Sequence, residues 1–223
     1  MKSMGGNRGR LITFEGIEGC GKSTQIGLLA DYFRKQGATV RVTREPGATA
    51  LGLELRKLLL DPAHDPDALT ELLLYLADRR DHVRRVIAPA LERGEIVLVD
   101  RYIDSTWAYQ GYAGGDPELD TGLVEELNRR VVGKCWPHLT FVLDCPAEIG
   151  LGRARRRNLE TGEAGTADRF EQRRLVFHEK VRQAFLELAR REPERFRVVD
   201  AARPPAEIFA DIRRKLQNAY AVS

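Results

Sequence analysis

A chain of 223 residues with 43% hydrophobic content is long enough to bury a sizeable core and is expected to form one domain. Its 36 Lys plus Arg against 33 Asp plus Glu leave a net charge of only +3, so bulk charge gives no ground for a nucleic-acid partner. Three cysteines (Cys20, Cys135, Cys145) without CxxC spacing exclude a disulfide framework and a zinc site, and no apolar run approaches the ~20 residues of a membrane span. A reducing cytoplasm and the absence of a membrane are the expectation.

The chain opens on a polar, Gly-rich stretch, residues 1–10, with no apolar leader segment, which reads as a flexible arm. A single domain is expected over 11–223. The apolar run Leu11 to Phe14 reads as a strand, and the loop Gly16-Ile17-Glu18-Gly19-Cys20-Gly21-Lys22-Ser23, continuing into Thr24, matches GxxxxGK[ST]. Strand, tight loop and helix (Lys22 to Gln36) is the order a phosphate cradle needs. Glycines let backbone N–H groups converge on phosphate oxygens at a positive helix end, Lys22 reaches the β and γ phosphates, and the Ser23 hydroxyl suits Mg²⁺. A nucleoside triphosphate is therefore the expected ligand, with Mg²⁺.

A second strand, Thr39 to Thr43, runs into Thr43-Arg44-Glu45-Pro46-Gly47, and helices are expected over Leu51 to Leu60 and Ala68 to Glu92, separated by the turn Asp61 to Asp67. The third strand, Ile96 to Val99, ends in Asp100-Arg101-Tyr102. An acid at the carboxyl end of a buried strand beside a phosphate loop holds Mg²⁺ directly or through water, which selects Asp100. In a parallel sheet the carboxyl ends of neighbouring strands open onto one crevice, so Arg44 and Arg101 face the phosphate loop's ligand and suit a second, phosphorylated substrate.

Helix Leu119 to Val132, strand Leu139 to Leu143, helix Ala147 to Arg157, helix Arg169 to Arg191, strand Phe196 to Val199 and helix Pro205 to Gln217 complete the alternation. Five strands alternating with helices predict an α/β fold: a five-stranded parallel sheet flanked by helices, of the P-loop NTPase type. Tyr112 to Asp116 and Asn158 to Ala167 read as mobile loops. The basic run Arg153, Arg155, Arg156, Arg157 borders the second of these, and a lid is expected at about 153–168.

Four elements in this order carry a resemblance to thymidylate kinases: Phe14-Glu15 with the phosphate loop, Thr43 to Gly47, Asp100-Arg101-Tyr102 with Asp104-Ser105 and Ala108-Tyr109-Gln110-Gly111, and Asp168-Arg169-Phe170-Glu171. The resemblance extends from Leu11 to about Leu216. It implies a nucleoside monophosphate kinase-like fold, a homodimer, and transfer of the γ-phosphoryl group of ATP to thymidine 5′-monophosphate (dTMP), giving the diphosphate. It further implies that Lys22 and Ser23 contact triphosphate and Mg²⁺, Arg44 and Arg101 clamp the acceptor phosphate, and Glu18 lies near the sugar 3′-hydroxyl. Tyr75 takes the place of a stacking phenylalanine, Arg79 that of a donor to the base carbonyl, Ser105, Tyr109 and Gln110 line the base and sugar pocket, and Phe170 lies near the sugar. Some members carry an arginine within the phosphate loop where this chain has Gly19; the bacterial type it resembles supplies lid arginines instead, with Arg153 and Arg157 as candidates. Ala48, Trp107 and Tyr112 depart from the common pattern.

Overall fold

The computed structural model describes residues 9–117, 119–160 and 174–221. Five strands, β1 (Arg10–Glu15), β2 (Val40–Arg44), β3 (Ile96–Asp100), β4 (Leu139–Asp144) and β5 (Phe196–Asp200), form one sheet in the order β2-β3-β1-β4-β5. All four pairings are parallel. Near-continuous apolar runs such as Ile-Val-Leu-Val at 96–99 are what a strand covered on both faces requires. Alternate residues divide accordingly: Ile12, Phe14, Ile96 and Leu98 enter one buried cluster, Leu11, Val97 and Val99 the other. The register sets Phe14 opposite Asp100 and Asp100 opposite Arg44, bringing three strand ends to one edge.

Helices α1 (Lys22–Arg34), α2 (Ala50–Leu60) and α3 (Ala68–His82) follow the expected boundaries to within two residues at most ends. Side-chain caps start α2 and α3: Thr49 accepts from the Gly52 amide at 2.9 Å and Asp67 from Thr70 at 2.9 Å. The single helix expected over Ala68 to Glu92 is instead α3, a π-helical turn Val83–Ile87, and α4 (Ala88–Glu92). Pro89 has no N–H to offer the Arg85 carbonyl, and the ladder widens beside it, with the Ala88 amide reaching back to Val83.

A short helix α5 (Ile103–Thr106) and a second π-helical turn (Trp107–Tyr112) occupy a stretch without helical apolar periodicity. After them come α6 (Thr121–Val132, capped by Asp120), α7 (Ala147–Glu160), α8 (Leu175–Arg191) and α9 (Pro205–Ala221). Two expectations change here. Gly9 and Arg10 are not arm but lead into the central strand β1, their amides bonded to the Leu91 and Glu95 carbonyls, and residues 153–160 of the expected lid are the last turns of α7. Residues 1–8, 161–168 of the lid, and the first residues of the helix expected from Arg169 lie outside the described residues.

Candidate active site

The phosphate loop leaves β1 through three glycines with positive φ: Gly16 (138°), Gly19 (68°) and Gly21 (99°). At Gly19 the requirement is also steric, because a Cβ would lie 1.9 Å from the Gly150 carbonyl oxygen on α7. Gly150 returns the constraint, since its own Cβ would meet the Glu18 carbonyl at 2.5 Å. The first helical bond of α1 is from Gln25 to Gly21, so the amides before it remain available to an anion. Lys22 Nζ, buried, donates to the Gly16 carbonyl at 3.1 Å and the Ile17 carbonyl at 2.9 Å and lies 3.6 Å from Cys20 Sγ. Ile17 and Cys20 send their side chains into the core, and Thr24 is exposed.

Ser23 Oγ donates to Asp100 Oδ2 at 2.7 Å across the loop and β3. A hydroxyl and a carboxylate at the mouth of a phosphate loop are hard oxygen donors, fitting a Mg²⁺ that keeps waters and takes its remaining ligands from phosphates. Among the described residues no cluster of three His, Cys, Asp or Glu forms a separate metal cage.

These groups border a cavity of about 480 Å³, within the range of small-ligand sites. From the phosphate loop come Glu18, Gly19, Lys22 and Ser23, and from the strand ends Arg44, Asp100 and Arg101. Arg101 carries the one positive φ (66°) of a non-glycine among the described residues. Its guanidinium donates to the Gly16 carbonyl and to Glu18 Oε1, both at 2.9 Å, and lies over the Tyr109 ring at 5.1 Å. Tyr109 OH donates to the same Glu18 oxygen at 2.8 Å. Burial alone would raise the Glu18 carboxyl, but Arg101, His178 and Lys22 together hold it well below the usual carboxylate range. Arg44 has no hydrogen bond or ion pair through its guanidinium to any described residue and faces the cavity.

Tyr75 and Arg79, one turn apart on α3, both line the cavity. Arg79 is more committed than its sequence position indicates. Its five N–H donors meet four protein acceptors: Glu45 Oε2 (2.8 Å), Thr106 Oγ1 (2.9 Å), Asn128 Oδ1 (2.7 Å) and the Tyr102 carbonyl (3.0 Å). At most one N–H remains for a ligand, and the side chain is 1% exposed. Glu45, which precedes the cis Pro46, also meets His82 Nδ1 at 2.8 Å, so α3 grips the loop after β2. Gln110 Nε2 donates to Glu71 at 2.6 Å, and Ser105 Oγ to Glu15 at 2.6 Å.

Sequence reasoning passes over Arg56 and Leu60, which line the cavity from α2, and Thr106 from α5. The i, i+4 spacing of Arg56 and Leu60 is the available signal, masked by a helix rich in leucine throughout. Trp107 and Tyr112 stack on one another at 5.6 Å and do not line the cavity.

The structure separates the two lid arginines. Arg157 lines the cavity, its Nε and Nη2 on Asn158 Oδ1. Arg153 does not, because its guanidinium is held by the Ala201 and Ala202 carbonyls, at 2.7 and 3.3 Å, beyond β5. Arg153 thus ties α7 to the chain just beyond β5. Phe170 lies outside the described residues.

Beneath the site, Glu15 accepts from the Tyr102 amide (2.7 Å) and from Ser105. Burial, then the Asp104 charge, pushes its carboxyl from 4.5 up to about 8. The folded state thus keeps a proton that the unfolded chain releases, so the stability this carboxyl contributes is full below about pH 4.5 and is lost as pH rises towards about 8. Glu15→Gln should flatten that fall, and thermal unfolding across this window compares the two slopes. Equal slopes would mean a charged Glu15 in the folded protein.

The sequence model of the thymidylate kinase family matches residues 14–212. A thymidylate kinase from Syntrophotalea carbinolica is 53% identical over 193 residues, covering 85% of this chain and 87% of its own length. One from Desulfosudis oleivorans is 50% identical over 198 residues, covering 88% and 91%. The crystal structure of thymidylate kinase from Ehrlichia chaffeensis superposes with a TM-score of 0.74 at 34% identity, over 94% of this chain and 99% of that one. With a phosphate loop, a strand-end acid and paired arginines opening on one crevice, and these relatives alike over most of their length, the chain belongs to the thymidylate kinase family.

Proposed function

We propose that this thymidylate kinase divides its reaction, transfer of the γ-phosphoryl group of ATP to dTMP, between two halves of one cavity. The observation that carries the division is the convergence of Lys22 and Ser23 from one side and Arg44 and Arg101 from the other on the same 480 Å³ space. On the donor side the loop amides and Lys22 hold the triphosphate, and Ser23 and Asp100 hold Mg²⁺, which when bound supplies charge neutralisation at the phosphates. On the acceptor side Arg44 and Arg101, joined by Arg56, hold the monophosphate in line, and Glu18 takes the sugar. Tyr75 stacks on the base, Arg79 offers its remaining N–H to a base carbonyl, and Ser105, Tyr109 and Gln110 complete the pocket.

A coupled assay of ADP release across dTMP, thymidine, deoxyuridine monophosphate and deoxycytidine monophosphate tests this reading. The cytosine compound presents an amino group to a donor and should be slower by about 100-fold or more in kcat/KM, and thymidine, lacking the phosphate, slower still. Equal rates with dTMP and the cytosine compound would refute the base assignment.

Arg157 neutralises charge developing on the transferring phosphoryl group in this scheme. Arg157→Ala should cut turnover by about 100-fold or more with little change in the melting temperature of the unliganded protein. Arg153→Ala should instead lower stability by about 1 kcal/mol through its two carbonyl bonds. Equal losses of turnover would put both guanidiniums at the phosphate.

The active unit is read as a homodimer. Leu51 and Leu58 on α2 and Leu69 and Leu73 on α3 are exposed at helical spacings on two helices packed together, which supports a face covered by a second copy. Sedimentation velocity reads the mass directly. Three free thiols support a reducing, cytoplasmic setting.

A further inference from the structure

We infer that His178 on α8 is a positioning residue for Glu18, holding the carboxylate that serves the acceptor side of the reaction. The inference rests on the placement of Glu18 beside the acceptor sugar given above. Glu18 Oε1 is held twice, by Arg101 Nη2 at 2.9 Å and Tyr109 OH at 2.8 Å. Its Oε2 is buried, and among the described residues the polar group beside it is His178 Nδ1 at 3.1 Å. The alignment falls short of a formed hydrogen bond, so both atoms are unsatisfied, as is His178 Nε2 among the described residues. The imidazole is wholly buried.

A buried polar ring that satisfies neither nitrogen is costly as filler, since an apolar side chain would pack there without that penalty. A donor aimed at the second oxygen of a carboxylate has a use. With one oxygen held, a carboxylate still turns about its own axis; with both held, its plane is fixed. Glu18 lies in the phosphate loop and anchors Arg101, so fixing it sets the loop and the phosphate clamp against each other. The surroundings of His178 serve the same side. Phe177, its neighbour on α8, meets the Tyr109 ring edge-on at 6.0 Å, and Phe185 does so at 6.4 Å. Helix α8 thus supports the acceptor carboxylate in two ways, Glu18 itself through His178 Nδ1 and its partner Tyr109 through ring packing.

Initial-rate kinetics on the full chain test this with His178→Leu, His178→Asn, His178→Gln, Glu18→Gln and the double variant Glu18→Gln with His178→Leu. Asn places its amide N–H near the Nδ1 position, whereas Gln places it near Nε2. His178→Leu is expected to raise the KM for dTMP about tenfold with the KM for ATP within about twofold, and Asn to restore the dTMP value to within about threefold. His178→Gln is expected to follow Leu and serves if the Leu variant does not fold. In the Glu18→Gln background the Leu substitution should add less than about twofold, as coupled residues do. An unmoved dTMP KM in the Leu or Gln variant, or a tenfold effect persisting without Glu18, overturns the inference. If Glu18→Gln itself leaves the dTMP KM unmoved, the sugar-side placement of Glu18 fails, and the inference fails with it. If that variant raises the KM and His178→Leu does not, only the role of His178 fails.

Discussion

Lys22→Ala is expected to lower turnover by about 1,000-fold, a loss of about 4 kcal/mol of transition-state stabilisation, while leaving a folded protein. The ammonium now rests on the Gly16 and Ile17 carbonyls at 3.1 and 2.9 Å. It lies inside the phosphate loop, and in the proposed scheme it turns from these carbonyls to the phosphate oxygens. Among the described residues no other lysine lines the cavity. The Gly16 carbonyl also accepts from Arg101, so removing the amine strands only the Ile17 carbonyl, at a cost of about 1 kcal/mol. Single-turnover rates and thermal unfolding separate the two effects. Turnover near that of the parent would sink the phosphate-loop assignment, and an unfolded variant would make Lys22 a structural residue.

Arg101→Ala should reduce kcat/KM for dTMP by about 100- to 1,000-fold, acting on KM and kcat together because the acceptor must be aligned as well as bound. Four ties go at once: the Gly16 carbonyl, Glu18, the Tyr109 ring and a longer bond to Ser105 Oγ at 3.5 Å. Glu18 then keeps Tyr109 on one oxygen and His178 beside the other, and loses the cation that chiefly offsets its burial. The left-handed backbone at 101 is unfavourable for arginine and alanine alike, so the comparison carries no change in strain. Arg101→Lys keeps the charge without the planar fork and should recover only part of the loss. ATP affinity by equilibrium titration should stay within about threefold of the parent. Loss of ATP binding with dTMP binding intact would reverse the proposed halves of the site.

The three inner strands β1, β3 and β4 were legible in the sequence because each is a compact, buried apolar run between turn residues, as burial on both faces demands, and the half-exposed β2 and β5 carry weaker runs at the sheet's two edges. The phosphate loop was legible because its glycines answer to backbone geometry, which depends on spacing alone. Residues 103–112 were not legible as helix: one face packs on the core while Ser105, Tyr109 and Gln110 border the cavity, and that divided duty erases a simple period. Arg79 shows the same limit at the site. Its acceptors come from positions 45, 102, 106 and 128, a set only the folded chain assembles. Likewise, nothing in the run from Arg153 to Arg157 tells which guanidinium finds carbonyls beyond β5 and which turns to the crevice.

The contact between Gly19 and Gly150 bears on how such a site changes over generations. A Cβ at 19 would meet the Gly150 carbonyl and a Cβ at 150 the Glu18 carbonyl, so neither position accepts even a methyl group while α7 stays where it is. A loop arginine at 19 would have to push α7 aside, and that displacement would carry Arg157 away from the cavity it now lines. The two ways of bringing a guanidinium to the transferring phosphate, from the loop or from the helix, therefore compete for one volume. A side chain at 19 and the present seat of α7 are mutually exclusive, and exchanging one for the other requires the helix to move with the substitution.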